Sequence, residues 1–146
     1  MVPNNDARSM TIDQQQQAIL SCCDQLMAAL HTERPIDEIG PIRMRLAGLL
    51  HANLAAEECE LTAPIRRLSP ADRPNQFAVI TAEAAYLRSL YSEHVRRWTP
   101  QSIVGNPQEY AEQASELVRE LKAHLVKKRA VLPEWRRAAS AVTRHG

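Results

Sequence analysis

The sequence predicts an all-α fold, a four-helix bundle running up-down-up-down, and three observations point there. Ala, Leu, Gln, Glu and Arg are abundant while Gly numbers 4 and Phe only 1, a helix-forming and aromatic-poor composition. Apolar residues recur at helical intervals over four stretches, each of roughly 20 residues or more. Pro, Gly and Asn fall between those stretches, leaving links short enough for consecutive helices to lie antiparallel. At 146 residues the chain is the size of one domain and can bury a full core without disulfides or metal as staples.

The first helix opens at Thr11, where Thr11 and Gln14 have capping-box spacing, and carries Ile12, Ile19, Cys23, Leu26 and Leu30 on one stripe. It ends near Arg34-Pro35. The second runs from about Ile36 to Leu61, with Gly40-Pro41 either kinking it or marking its start; Ile39, Ile42, Leu46, Leu50 and Leu61 form its stripe and Pro64 lies at its end. After Ser69-Pro70-Ala-Asp-Arg-Pro74 a third helix places Phe77, Ile80, Ala84, Leu87, Tyr91 and Trp98 in register, and Thr99-Pro100 stops it.

The fourth helix has Asn106 as N-cap, Pro107 at the first helical position and Glu109 near the positive end. Its stripe is Tyr110, Ala114, Leu117, Leu121, Leu125 and Leu132, and Pro133 is expected to end or bend it before a short C-terminal tail helix around Trp135. The division is therefore a flexible segment over 1–10, the bundle over 11–133 and a tail over 134–146.

A net charge of +1 provides no field to gather nucleic acid or an anionic membrane, although the end from Arg136 to Arg144 is locally basic. Neither partner is expected. Cys22, Cys23 and Cys59 are an odd number without metal-type spacing, which argues against a disulfide framework. The N-terminus lacks a basic and apolar leader, and no run of about 18 apolar residues occurs, so the chain reads as cytoplasmic.

Two polar pairs interrupt the apolar stripes: Asn53 with Glu57 and His124 with Lys128. Residues four apart share a helix face. At 100° per residue, Glu57 falls within about 20° of Leu46, and both Lys128 and His124 fall within about 20° of Leu117, on either side of it. These residues look inward, and Gln16, between Ile12 and Ile19, does the same on the first helix.

The strings Asn53-Leu-Ala-Ala-Glu-Glu-Cys-Glu-Leu61 followed by Pro64, and His124-Leu-Val-Lys-Lys-Arg-Ala-Val-Leu-Pro133, resemble the second and fourth helices of the bacterial hemerythrin-like, or HHE cation-binding, family. Gln16-Gln-Ala-Ile-Leu-Ser-Cys-Cys-Asp-Gln-Leu26 is similar to the first helix of that family. The resemblance implies a hemerythrin-like bundle with a di-iron centre. Carried over position by position, Gln16 and Asn53 stand where His ligands would, Glu57 keeps its type, His124 matches, and Lys128 or Arg129 replaces an acid. On the third helix Ala82 to Ala84 and Tyr86 fall where two His would be expected, and the nearest imidazole is His94.

A divalent cation needs neutral imidazoles and anionic oxygens, and a cationic side chain in the site removes one ligand and repels the metal. The expectation is therefore no metal cofactor, and a polar network in which Glu57 pairs with Lys128 or Arg129 while Gln16, Asn53 and His124 satisfy the remaining groups. Duller readings stand beside it. Lys128 can snorkel into a solvated basic face, a modest rotation exposes Glu57 with Glu58, and His124 reads as a satisfied core histidine. His31, His51, His94 and His145 read as surface residues, with His51, Glu58, His94 and His124 as the alternative, a displaced mononuclear site.

Cys23 reads as core and Cys22 and Cys59 as flank residues; Trp98 and Trp135 read as core or end caps, or, with Tyr86 and Tyr91, as a grooved interaction surface. No nucleophile and base arrangement and no phosphate loop occur, so no enzymatic activity is expected. The expected function is that of a metal-free, hemerythrin-like binding or regulatory module with a protein or small-molecule partner, homodimerisation through one flank being open. The alternative is a cation-binding protein that retains a reduced iron site and handles oxygen, nitric oxide or iron.

Overall fold

The computed structural model describes residues 7–32 and 34–145, with side chains as far as residue 142. All regular structure among these residues is helical, and no strand occurs. Most of the expected flexible segment, residues 1–6, lies outside the described residues, as does the His145 side chain; residues 7–9 are helical, and Ala7 and Met10 pack on the core.

Helix α1 (Ile12–His31) starts from a full capping box: Thr11 Oγ1 accepts from the Gln14 amide at 3.1 Å and Gln14 Oε1 accepts from the Thr11 amide at 2.9 Å. Its stripe of Ile12, Ile19, Cys23, Leu26 and Leu30 is buried. Helix α2 (Ile36–Glu57) begins directly after Pro35 and runs through Gly40-Pro41. Pro41 is exposed near the start of the helix, while Ile39 and Leu46 are anchored on the opposite face, so the missing amide costs one solvent-side hydrogen bond and does not end the helix.

A π-helical turn, Glu58–Thr62, follows at once and leads into α3 (Ala63–Arg66). At 100° per residue Ile65 would lie about 100° away from Leu46. The wider turn resets that phase, and Leu61, Thr62 and Ile65 are all buried. After a 3₁₀ turn at Pro70–Asp72, α4 (Phe77–Arg97) buries Phe77, Ile80 and Leu87.

A short helix, α5 (Pro100–Gly105), occupies a link read from sequence only as a stop. Thr99 caps it by accepting from the Ser102 amide at 3.2 Å, Pro100 fits its first turn, and Ile103 is buried.

Helix α6 (Pro107–His145) runs unbroken through Pro133, so the expected separate tail helix is corrected to the last turns of one long helix. The reason is the stripe: Leu132, Trp135 and Ala139 continue it at intervals of three and four and are buried against Ile12, Leu61, Phe77 and Ile80. Their burial outweighs a proline penalty of about 3 kcal/mol.

Helix α1 packs against α2 and α6, and α4 packs against α6. The buried apolar residues form two clusters. One contains Ile19, Leu26, Leu46, Leu49, Trp98, Tyr110 and Leu125, the other Ile12, Leu61, Ile65, Phe77, Ile80, Leu132 and Trp135. Along each helix, polar residues fall near the junction of the two: Gln15 and Gln16 on α1, Asn53 and Glu57 on α2, Glu83 on α4, and His124 with Lys128 on α6, on either side of Leu125. No helix of the described residues is long and apolar enough to cross a membrane.

Candidate functional site

The polar layer is built from three groups of side chains. Glu57 ends α2 just before the π-turn, and its carboxylate receives the Lys128 ammonium from α6 on Oε1. Gln16 Nε2 donates to Oε2 at 3.5 Å from α1. Only 10% of the Glu57 side chain and 15% of Lys128 are exposed, so this pair is largely out of water. It is Lys128 that faces the interior, while Arg129 is exposed.

One turn earlier on α6, His124 Nδ1 lies 2.7 Å from Glu83 Oε1 on α4, and Lys127 Nζ reaches the other carboxylate oxygen at 2.9 Å. The hydrogen bond from His124, followed by that from Lys127, holds the Glu83 carboxyl below its ordinary range. Burial pushes the His124 pKa down and outweighs the opposing pull of Glu83, with the Lys128 charge adding to the depression. The imidazole is therefore neutral near pH 7. Because an ionised carboxylate only accepts, the proton sits on Nδ1, and the buried Nε2 is left as a lone-pair acceptor without a partner among the described residues.

The third group is a relay of amides. Asn53 Nδ2 donates to Gln15 Oε1 at 3.1 Å, and Gln15 Nε2 donates to the Ala7 carbonyl at 2.9 Å. Asn53 thus joins Gln15, not the ion pair, and the relay fastens residues 7–9 to the α1–α2 seam.

Gln15 and Glu83 were missed in the sequence, although the arithmetic that singled out Gln16 applies to both. Gln15 lies three residues after Ile12 and four before Ile19; Glu83 lies three after Ile80 and four before Leu87. A polar residue on a stripe position was the available signal.

A divalent cation does not fit this layer. Both carboxylates already hold an ammonium, His124 spends Nδ1 on Glu83, and a metal at the remaining Nε2 would stand beside the Lys128 charge. The residues of the alternative set are each exposed or engaged elsewhere. His51 is exposed, Glu58 takes Arg66 at 3.0 Å, His94 stacks on Tyr110 with ring centroids 5.7 Å apart, and His124 is held by Glu83. Among the described residues no group of three or more His, Cys, Asp or Glu is placed to hold a metal.

Other side chains also differ from their sequence reading. Cys22 is buried beside Cys23, because the α1 flank it occupies faces α2, where its thiol lies 3.5 Å from the Ile42 carbonyl. His94 is half-buried, and burial together with the nearby Arg43 charge depresses its pKa to about 4. Trp98 and Trp135 are core residues, Tyr91 is half-buried and Tyr86 is exposed, so the four do not line a common groove.

Comparison with protein-family models, with curated proteins and with solved structures finds no match to this chain.

Proposed function

We propose that this chain is a hemerythrin-like, up-down-up-down four-helix module whose centre is closed by ammonium–carboxylate pairs where the family holds two irons, and that it acts by binding or regulation, not by catalysis. The observation that carries this reading is the Lys128 ammonium on the buried Glu57 carboxylate. Lys127 on Glu83 supports it from the rim of the layer, since this half-buried acid also takes a cation from α6. The titratable groups of the layer are spent on one another, and none pairs a nucleophile with a base.

Elemental analysis and an optical spectrum of protein purified from cells grown with added iron test this reading. The expected protein has no stoichiometric metal and no absorption beyond its aromatic bands. Stoichiometric iron with oxo-iron charge-transfer bands would overturn it in favour of an iron, oxygen or nitric oxide handling protein.

A further inference from the structure

Away from the polar layer, a small chamber of about 20 Å³ lies in the larger apolar cluster, walled by residues such as Leu46 and Leu117. Arg43 of α2, Tyr91 and His94 of α4, and Tyr110 of α6 are the lining residues that carry polar groups, the surface they share with their neighbours being largely apolar. The volume admits a single guest of about water size.

The chemistry of the lining is one-sided. Tyr110 is 1% exposed, and its hydroxyl has no partner among the described residues, which leaves a desolvated donor inside the protein. Arg43 donates to the Trp98 carbonyl and sits 5.6 Å over the Tyr110 ring, yet among the described residues it makes no ion pair. A guanidinium cannot shed its proton, so the chamber keeps a positive charge next to apolar walls. Tyr91 and His94 add two further groups able to donate, and no carboxylate is among the charges that act on them.

We propose that the chamber between Arg43, Tyr91, His94 and Tyr110 is a binding site for one small monovalent anion of halide size. A water molecule fits the same space but brings no charge to set against that of Arg43. An anion accepts from the Tyr110 hydroxyl and neutralises the guanidinium in a single step. A cation is repelled by Arg43 and meets no anionic ligand there.

The test is thermal unfolding of the full chain in sodium bromide, sodium chloride and sodium gluconate at matched ionic strength, with chloride NMR line width as a direct readout of exchange with the protein. Halide is expected to raise the unfolding midpoint above that in gluconate and to broaden the chloride signal. In Tyr110→Phe and Arg43→Met the halide dependence is expected to weaken about tenfold or more in concentration. Tyr110→Phe removes only one hydroxyl and keeps the ring packing, so the test survives if Arg43→Met fails to fold. Equal midpoints in halide and gluconate would overturn the proposal, whether the chamber holds water or nothing. So would a halide response that Tyr110→Phe leaves unchanged.

Discussion

Lys128 sets its ammonium on the Glu57 carboxylate, and its neighbour Lys127 sets its own on Glu83. Consecutive residues leave a helix about 100° apart, so this one turn of α6 reaches α2 with one side chain and α4 with the other. It is a cross-brace between two helices, placed where the two apolar clusters meet.

Glu57→Gln is expected to destabilise the chain by about 3 kcal/mol, the low end for a buried pair cut at one side, because Lys128 retains a little access to water. The double variant Glu57→Leu with Lys128→Met is expected to regain most of that loss, since an apolar pair carries no desolvation cost. Urea unfolding of both variants measures this. An unchanged midpoint in Glu57→Gln would mean the pair does not contribute to folding.

Acid is expected to weaken the fold in two stages. Burial lowers the pKa of His124, and that of His94 to about 4, so below the ordinary value of 6.5 the unfolded chain takes up protons that the folded chain refuses. Their contribution is complete above 6.5 and is lost as pH falls through the folded values. Glu83, also depressed, follows from its ordinary 4.5 downward. Urea midpoints in halide-free buffer are expected to be flat above neutrality and to fall steadily below about pH 6.5, and His94→Leu is expected to shallow that slope. A flat profile down to about pH 5 would contradict the buried neutral imidazoles.

One thiol of three is expected to react with an aromatic disulfide reagent in the native chain, and all three after denaturation. Cys59 is exposed, whereas burial raises the Cys22 pKa and pushes Cys23 up to about 12, which suppresses their thiolates. Rapid labelling of two or three thiols in native buffer would show that the α1–α2 seam opens.

Pro133→Ala is expected to stabilise by about 2 kcal/mol, because alanine restores the missing amide donor to a helix already continuous through that position, less a fraction lost to the freer unfolded chain. Thermal and urea unfolding report the gain. Destabilisation would mean that Pro133 itself helps to seat Trp135 in its cluster.

Much of the helical content was legible because periodicity and capping are local. Thr11 with Gln14 located the start of α1, and Asn106 with Pro107 that of α6. Gln16 and Glu57 were legible as interior polar residues for the same reason: each stands on an apolar stripe. Glu83 and Gln15 obey that rule as well, but nothing local distinguishes a stripe glutamate that reaches a buried histidine from one that bends out to solvent. Pro133 misled, and Gly40-Pro41 left the start of α2 open, because a proline's local cost is visible in the chain, while the burial that outweighs it is not.

By itself, the order of residues determined an all-helical chain, where most of its helices begin, and that acids, amides and cations share faces with leucines. Only tertiary packing decided which acid met which cation. Asn53 went to Gln15 instead of Glu57, His124 to Glu83, Lys128 inward while Arg129 turned out, and Arg43 came to lie beside Tyr110. Helical phase is set within a few residues, but the pairing of charges across helices depends on how the cylinders rotate and how the π-turn after Glu57 shifts register. Those choices are made by the whole core at once.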